Sequence, residues 1–399
     1  MKRQSVDFLI KSEDECDMKF FIIEDESRFE GLREQWNGLL LKSDIKSVFL
    51  RWEWMFKWWE NYKPKLTDGR LFIIVGQSNG DLKLIFPAYL DREKNGRLTV
   101  LYFLGSRFES SDYLSIITCP QKSAELIGLM IEFVTQIRPD VDIWRLLNVL
   151  DNDSVMAAFQ SHMQKTGRKV LRRHHQICPF ISLHGGWDEY VKKLSKNMRY
   201  NMQRRIRKLF DEFNAEFDWF KKPDEIESAV ESLFNLHEKR WETREENTRF
   251  QAGLRMQFHK DVSKLFMEAD ILRLFRIRVG EEIAAMLYCF QYQGEMMYFQ
   301  AGFDPKWEKQ SVGLVLMAKT IEYSFNHNLR LFDFMRGNED YKYKWTSTVR
   351  KMDLLEVGIT DKGKFSLQTE NTIRGIKDFI KTLIPEQAWN KLRNIVTDH

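Results

Sequence analysis

The sequence predicts a mixed α/β protein, of the α+β kind, made of two similar halves, each a mostly antiparallel mixed sheet flanked by helices. In both halves, amphipathic helical segments are followed by short apolar strands that are joined by glycine turns, then by a further helix and strand. The length of 399 residues suffices for two domains. A hydrophobic content of 43% with 30% charged residues is typical of a globular chain.

The first half is predicted to begin with a strand and a helix, after a polar lead over residues 1–17. The strand covers residues 18–23, and the amphipathic segment 26–42 predicts one helix. The next segment, "SVFLRWEWMFKWWENY", spaces its tryptophans nearly as a helix does, which favours a buried helix face over a ligand platform. These tryptophans are Trp52, Trp54, Trp58 and Trp59.

The remainder of the first half predicts a sheet with one covering helix. "RLFIIVGQSNGDLKLIFPAYL" is expected to be a hairpin that turns at Asn79 and Gly80, because Asn-Gly favours tight hairpin turns. "RLTVLYFLG", "SAELIGLMIEFVTQI" and "VDIWRLLNV" then predict a strand, a helix and a strand. We therefore assign residues 18–175 to an N-terminal domain.

The second half, residues 176–365, begins with helices and continues as a three-stranded meander. The segments 187–210 and 224–241 each predict one helix. The strands "ILRLFRIRV", "IAAMLYCFQYQ" and "EMMYFQAGF" follow, with turns expected at Gly280 and Gly294.

A helix, two strands and a tail complete the predicted chain. The helix is expected to begin at Ser311, a residue type that caps helices with its side chain. The strands are "LRLFDFM" and "KMDLLEVGI". Residues 366–399 predict a helical tail of two short amphipathic helices on either side of Pro385.

Charge and cysteine usage exclude several classes of protein. A net charge of +4 is too small to indicate a nucleic-acid binder by itself, so any basic function must be local. The four cysteines form no CxxC pair, so we expect neither a metal site nor a disulfide framework. No run of 18 apolar residues occurs, and the first apolar run is too short for a signal peptide. We expect a cytoplasmic protein.

The stretch "QSVGLV", residues 310–315, places a glycine in a helical pattern. Glycine costs about 1 kcal/mol relative to alanine inside a helix, so Gly313 requires a reason. In the first turn of a helix, the backbone N–H groups have no intrahelical partners, and an anion can approach them closely where no side chain intervenes. The alternative is a small residue at a tight contact between helix and sheet.

"QSVGLV" follows the third meander strand and resembles the pyrophosphate loop of the GNAT acyltransferases, Q/R-x-x-G-x-G/A, with Val315 at the last position. Longer blocks resemble the CelD-like acetyltransferases, which are associated with cellulose and exopolysaccharide synthesis and are related to Fem-type aminoacyl transferases. The blocks are "LSKNMRYNMQRRIRKL", "LFNLHEKRW", "YFQAGFDPKWEKQSVGLVLMAKTIEYSF" and "LRLFDFMRGNEDYKYKWTS", with "SVFLRWEWMFKWW" and "FLGSRFESSDYLSI" in the first half. The resemblance covers most of the chain and implies two tandem GNAT-like domains.

The resemblance also implies a donor substrate, acetyl-CoA or another acyl-CoA, in the second domain. In the family, backbone amides of the loop contact the diphosphate of coenzyme A at the helix N-terminus. Carried over to this sequence, the donor-binding residues are Gln310, Ser311, Val312, Gly313, Leu314 and Val315.

The segment "DFMRGNEDYKYKW", residues 333–345, concentrates the groups that acyl transfer needs. The reaction requires a base for the nucleophile, donors for the oxyanion and an acid for the leaving thiolate. Asp333 or Glu339 could be the base, and Tyr341 could be the acid. Lys342 or Arg336 could stabilise the oxyanion or hold an anionic substrate. The alternative is a loop that an Asp333–Arg336 pair holds in place.

Two further features concern the partners of the protein. Residues 190–210 carry eight Lys or Arg and no Asp or Glu, beside an apolar stripe. The basic face could be merely solvated, or it could contact coenzyme A phosphates, a nucleotide-linked sugar, tRNA or an anionic membrane. His237 and Trp241 lie one turn apart and could line an acceptor cleft, although His237 could also be a packed core residue.

The sequence thus favours an acyltransferase that moves an acyl group from acyl-CoA to an amine of a sugar or envelope precursor. Direct transfer is expected, because no cysteine has a supporting base nearby in sequence. One alternative is a Fem-type transferase that uses aminoacyl-tRNA as its donor. Another is a non-catalytic module that recruits enzymes of envelope-polysaccharide assembly.

Overall fold

The computed structural model describes residues 8–11, 17–94, 96–109, 111–242 and 253–383 of the chain. In this part of the chain, helices cover a five-stranded sheet and an eleven-stranded sheet. The predicted fold class, a mixed α/β protein with sheets flanked by helices, is confirmed.

The first half holds the elements up to β10. In chain order they are β1 (Phe8–Lys11), β2 (Asp17–Ile23), α1 (Glu26–Glu30), α2 (Arg33–Lys42), α3 (Trp52–Tyr62), β3 (Arg70–Leu71), β4 (Ile73–Ser78), β5 (Asp81–Phe86), β6 (Ala88–Glu93), β7 (Leu98–Phe103), β8 (Ile117–Thr118), α4 (Ser123–Ile137), β9 (Ile143–Leu150), α5 (Ser154–Lys165) and β10 (Val170–Ser182).

The second half follows in the same chain order. It comprises α6 (Trp187–Lys193), α7 (Lys196–Arg207), β11 (Ala215–Trp219), α8 (Ile226–Glu242), α9 (Leu254–Glu268), β12 (Leu272–Val279), β13 (Glu282–Tyr292), β14 (Glu295–Phe303), α10 (Val312–Asn326), β15 (Leu331–Asp333), α11 (Asp340–Tyr343), β16 (Val349–Gly358) and α12 (Asp361–Leu383).

The larger sheet runs through both halves, in the order β11-β12-β13-β14-β15-β10-β16-β9-β7-β6-β3. The smaller sheet, β1-β2-β4-β5-β8, belongs to the first half. At the centre, β10 pairs with β15 of the second half, and β16 pairs with β9 of the first half. Each half therefore supplies a strand to the other, and β10 and β16 pair with each other between them.

The two halves repeat one arrangement of strand, helix and parallel strand. In the first half, β7 pairs with β9 in parallel, and α4 connects them. In the second half, β14 pairs with β15 in parallel, and α10 connects them. Both helices have 15 residues, and each follows a residue in the left-handed conformation, Lys122 (φ 65°) or Ser311 (φ 55°). The repeat is one of topology, since no repeat is visible in the sequence.

Aromatic side chains join the halves through a common core. The four tryptophans of α3 are buried, as predicted. Trp54 packs against Phe258 and Phe266 of α9, with ring centroids 4.9 and 6.3 Å apart. Phe49 contacts Phe290 and Phe299 of the second half, each at 6.1 Å. The buried apolar surface of α3 therefore stabilises both halves together.

Two predicted helices are in fact pairs of helices. The segment 187–210 breaks at Leu194, which is extended, and the hydroxyl of Ser195 caps the new helix by accepting from the N–H of Met198 at 3.2 Å. The segment 26–42 breaks at Gly31, where the chain tightens into a turn before α2. Local side-chain and turn hydrogen bonds interrupt the continuous amphipathic pattern in both places.

The tail begins differently from the prediction. One helix, α12, starts at Asp361 and runs for 23 residues. Its first turn packs tightly on the sheet, because a Cβ on Gly363 would lie only 2.0 Å from the carbonyl oxygen of Asp142. The second predicted tail helix, after Pro385, lies outside the described residues. Among the described helices, none is long and apolar enough to span a membrane.

A close approach of α8 to β14 at Gly302 gives a test of the packing. A Cβ on Gly302 would lie 2.8 Å from the backbone nitrogen of His237 and 2.9 Å from the carbonyl oxygen of Leu233. We expect Gly302→Ala to lower the free energy of unfolding by about 1–3 kcal/mol, as overpacking does. Gly375→Ala is the control, because its Cβ would meet nothing within 4 Å in an exposed helix. Equal stability of both variants in urea unfolding would contradict the described packing.

Candidate active site

The separation of β14 and β15 opens a cleft in the second half. The two strands pair from Glu295 and Leu331 to Met297 and Asp333, and there the pairing ends. Strand β14 continues to Phe303, whereas the chain after β15 turns away along β10. The N–H of Phe334 donates to the carbonyl of Pro179 at 2.9 Å, and that of Gly337 donates to Ile177 at 3.0 Å. A V-shaped gap between two parallel strands results.

A β-bulge lies on the wall of this gap. Tyr288 of β13 pairs with Gln300, but Cys289 pairs with Tyr298, so Phe299 is an extra residue on β14. A bulge leaves its extra residue outside the regular hydrogen-bond ladder, and it bends the strand so that neighbouring side chains and backbone groups change direction. The bulge therefore turns this part of β14 towards the gap.

A cavity of about 150 Å³ occupies the gap. Strand β14 lines it with Tyr298, Phe299 and Gln300, and the other half of the molecule contributes Asp112. From the segment identified by sequence, the cavity is lined by Arg336, Glu339, Tyr341 and Lys342. The fold thus brings four of the predicted site residues together in one place.

Lys342 is a buried lysine that holds the loop beneath the cavity. Its side chain is 3% exposed and pairs with Glu339 at 2.9 Å. The Lys342 ammonium also donates to the carbonyl of Arg336 at 2.6 Å and to that of Met335 at 3.3 Å. Burial of an ammonium group requires such compensation. Tyr341 donates to the hydroxyl of Tyr298 at 3.3 Å, so its hydroxyl lies across the gap from α11 to β14.

Asp333 lies behind the cavity wall rather than in it. Its carboxylate is fully buried and accepts from the hydroxyl of Tyr113 at 2.8 Å and the N–H of Met335 at 2.7 Å, with Arg350 at 3.3 Å. Burial raises the pKa of Asp333 to about 6, although Arg350, Tyr113 and Met335 act in the opposite direction. The predicted Asp333–Arg336 pair does not form, because Asp112 takes Arg336 instead.

A loop of the first half, which the sequence did not assign to the site, supplies most of these partners. We call residues 104–109 and 111–116 the bridging loop. Its Asp112 accepts from the guanidinium of Arg336 and, at 3.1 Å, from the Arg336 N–H. Its Glu109 accepts from Arg255 at 2.8 and 3.0 Å. The one available signal was the block "FLGSRFESSDYLSI", which contributes to the family resemblance.

Glu109 is ionised although it is completely buried. Burial alone would raise the pKa of Glu109, but His259, at 3.6 Å, and Arg255 outweigh it and lower the pKa to about 2. Burial lowers the pKa of His259, so we expect a neutral imidazole at pH 7 and assign the stabilising charge to Arg255. The hydroxyl of Tyr62 also donates to Glu109, at 3.1 Å. A buried carboxylate thus orients the Arg255 guanidinium beside the cavity.

Strained backbone accompanies the contacts of Asp333. Tyr113 and Met335, which both donate to its carboxylate, have positive φ values of 58° and 56°. This conformation is uncommon for residues other than glycine, costs on the order of 1–3 kcal/mol each, and clusters at functional sites. The surrounding hydrogen bonds hold both residues in place.

The predicted donor loop lies at the start of α10. Gly313 is in the first turn, as predicted, but Ser311 is left-handed and its side chain makes no cap. A Cβ on Gly313 would meet only the ring of Phe303, at an ordinary 3.6 Å, so packing does not require glycine here. Val312 and Val315 are fully buried, so Val315 points into the core and away from the first-turn amides.

Basic and polar side chains near the N-terminus of α10 are compatible with the binding of an anion there. Arg205 of α7 donates to the carbonyl of Lys309 at 2.6 Å, which brings the basic helix next to the residue that precedes Gln310. The side-chain oxygen of Gln310 and the indole N–H of Trp307 are buried without a hydrogen-bond partner among the described residues. Orphan polar atoms at a helix N-terminus are typical of a site that a ligand completes.

Of the two predicted acceptor residues on α8, His237 does not line the cavity. His237 is 6% exposed and lies where α8 packs against Gly302 of β14. The side chain of Trp241 lies outside the described residues. His237 is therefore placed as a core residue, in agreement with the alternative that the sequence left open.

Two of the described cysteines, Cys178 and Cys289, are buried. Burial raises the pKa of Cys178 and of Cys289, so both thiols are poor nucleophiles. Across residues 8–11, 17–94, 96–109, 111–242 and 253–383, no three His, Cys, Asp or Glu side chains are placed to hold a metal ion.

The pKa of Asp333 predicts a pH dependence of stability. The folded protein binds this proton more tightly than the unfolded chain between 3.8 and about 6. The contribution of Asp333 to stability is therefore full below pH 3.8 and is lost as the pH rises to 6. Relative to the unmodified protein, the free energy of unfolding of Asp333→Asn should rise across this window.

Asp140→Asn is the control, because Arg138 lowers the pKa of this exposed carboxyl. The effect of Asp140 on stability is lost as the pH falls below 3.8, so the difference between Asp140→Asn and the unmodified protein should change little between pH 3.8 and 6. Urea unfolding at the two ends of the window measures both, and a pH-independent difference for Asp333→Asn would contradict the buried, proton-binding carboxyl.

Comparison with solved structures shows a shared fold. FemX is similar with a TM-score of 0.57 and 8% identity, over 80% of this chain and 95% of that chain. A conserved protein of unknown function from Bacteroides thetaiotaomicron has a TM-score of 0.52 and 13% identity, over 84% of this chain and 99% of that chain. The C-terminal domain of a predicted lysylphosphatidylglycerol synthetase from Agrobacterium fabrum has a TM-score of 0.52 and 10% identity, over 88% and 96%.

Comparison of the sequence with known proteins and protein families identifies a similarity over only part of the chain. No protein of curated function matches it. The CelD-like resemblance stays a prediction. Residues 196–343, however, match the family described as acetyltransferase (GNAT) domain, a range that includes the meander, the start of α10 and the cavity-lining loop. This part of the chain is therefore similar to GNAT acetyltransferase domains.

Proposed function

We propose that the protein transfers an acyl group from acyl-CoA to an amine of a sugar or of a sugar-linked envelope precursor. The observation that carries this proposal is the position of the α10 N-terminus at the open end of the gap between β14 and β15. Gly313 lies beside Phe303, the last residue of β14, and the bulge at Phe299 lies four residues back. At about 3.3 Å per residue, that stretch of strand is about 13 Å long.

This geometry suits an extended thioester donor. The diphosphate would bind at the first turn of α10, where amides and Arg205 provide positive potential. The pantetheine arm would then lie along β14, where the strand has lost its parallel partner. The thioester would reach the cavity beside the bulge. Backbone donors at the bulge would stabilise the oxyanion that develops on the carbonyl.

The cavity-lining side chains support direct transfer. Glu339 has an accessible carboxylate, 55% exposed, whereas Asp333 is enclosed by three donors. We therefore favour Glu339 as the base that accepts the proton of the attacking amine. Tyr341 also lines the cavity and would protonate the leaving thiolate, and the buried Lys342 would keep Glu339 and the loop in position.

The basic surface of α7 is also compatible with a different acyl donor, an aminoacyl-tRNA. Lys196, Arg204 and Arg207 of α7 are exposed, and Arg205 of the same helix contacts the donor loop. An aminoacyl-tRNA would also use such a surface, because phosphate contacts dominate RNA affinity. Acyl-CoA is favoured because the first-turn glycine and the orphan polar atoms suit a compact diphosphate. We assign the reaction to the cytoplasm, where both donors occur, in support of exopolysaccharide synthesis.

The donor assignment is tested at Gly313. We expect Gly313→Glu to weaken coenzyme A binding at least 100-fold, because a carboxylate would occupy the diphosphate position and repel it. Gly313→Ala is the control and should bind nearly as tightly, since its Cβ fits the structure. Calorimetric titration gives both affinities. Equal affinity of the two variants, or a preference of the unmodified protein for tRNA over coenzyme A, would overturn the donor assignment.

The base is tested at Glu339. We expect Glu339→Gln to lower turnover by about 100-fold, in the range of a lost general base. Coenzyme A affinity should be unchanged, because Glu339 does not contact the diphosphate in the proposed binding mode. Release of free coenzyme A from acetyl-CoA, measured with the formation of the N-acetylated amino sugar, provides the assay. Normal turnover by folded Glu339→Gln would remove this base and return the assignment to Asp333.

A further inference from the structure

Most polar side chains on the wall of the cavity are paired with one another or with a group directly behind the wall. The pairs are Asp112–Arg336, Glu109–Arg255, Glu339–Lys342 and Tyr298–Tyr341. The charges in the three ion pairs sum to zero, so net charge does little to select one acceptor over another. Neutral hydrogen bonds are therefore the stronger means of selection, because a site built to bind a hydroxyl group rejects analogues that lack it.

Gln300 is a polar residue of this wall whose side chain is not paired. It lies on β14 directly after the bulge residue Phe299, lines the cavity and is half-buried. Among the described residues, no group forms a hydrogen bond with its side-chain amide. A glutamine amide donates through its nitrogen and accepts through its oxygen, so it matches a hydroxyl group, which does both.

The backbone that carries Gln300 is held by packing. The ring of Phe299 lies against that of His259, with centroids 5.2 Å apart. The apolar side chains of Phe334 and Met335 also line the cavity. A hydrogen bond made in such surroundings is stronger than one in open water, and an amide left unpaired there costs free energy. A ligand that supplies a partner to the Gln300 amide therefore gains affinity.

From these observations we infer that Gln300 forms a hydroxyl-binding site for the acceptor, which is therefore an amino alcohol with a hydroxyl group on the carbon next to its amine. The word acceptor rests on the proposed function; the hydroxyl-binding site does not. Gln300 and Glu339 line one cavity of about 150 Å³, so a single small ring can contact both side chains. The amide holds the hydroxyl group, and the amine lies towards Glu339. An amino sugar has this pattern, whereas a simple amine lacks it.

Two small amines that differ by one hydroxyl group, trans-2-aminocyclohexanol and cyclohexylamine, test the site. Calorimetric titration of the protein without donor gives both dissociation constants, and acetyl transfer from acetyl-CoA to each amine is measured in parallel. Methionine is close to glutamine in length but lacks its hydrogen-bonding groups. We expect Gln300→Met to weaken the binding of the amino alcohol about tenfold and that of cyclohexylamine less than twofold. Gln164→Met, at an exposed glutamine of α5 in the first half, is the matched control and should bind both normally.

Equal weakening of both amines in folded Gln300→Met, or no binding of either amine to the unmodified protein, overturns the inference. Binding with the expected preference but without acetyl transfer would uphold the hydroxyl-binding site and reject the proposed function. Acetyl transfer with a hydroxyl preference that does not depend on Gln300 would do the reverse. If Gln300→Met does not fold, Gln300→Asn keeps the amide but is one methylene shorter, and it should lose at least half of the preference; an unchanged preference there is equally decisive.

Discussion

Buried pairing between the bridging loop and the second half is the constraint on which the site depends. Glu109 and Asp112 lie in the interior, and each is matched by one arginine of the other half. Removal of a charge from water costs several kcal/mol, and only complete pairing offsets that cost. Loss of one partner leaves an uncompensated buried charge, typically a penalty of about 3–5 kcal/mol. The halves must therefore dock in the correct register for the cavity to form.

The two halves share an architecture, but only in the second half does the gap between the parallel strands contain the cavity. Each contains a pair of parallel strands that separate after three residue pairs, and each has a 15-residue helix that starts after a left-handed residue. In the second half the gap stays open and contains the cavity. In the first half the bridging loop fills the gap, and its buried backbone is satisfied by Asn148. The same arrangement of strands and helix therefore borders the cavity in the second half and supports it in the first half.

Asp333 shows how a support residue can resemble a catalytic one. Its position at a strand end and its raised pKa are both typical of a general base. Its three donors come from the bridging loop, from its own turn and from β16, so it connects three parts of the molecule. A carboxylate with its oxygens so occupied is better suited to hold Tyr113 and Met335 in strained conformations than to accept a proton from a substrate.

Hydrophobic periodicity, turn residues and short motifs predicted several features from sequence alone: the three-stranded meander of the second half, the buried face of α3, and the position of Gly313 in the first turn of α10. They did not predict the central strand β10 or the strand β11. The predicted features depend on neighbouring residues, so a local pattern suffices. The breaks at Leu194 and Gly31 depend on single hydrogen bonds and turns that a periodic pattern does not record. The partners of Asp333 and Arg336, Tyr113 and Asp112, lie more than 200 residues away in the chain. Only the tertiary structure could decide those pairings, because contacts between distant segments depend on how the two halves dock.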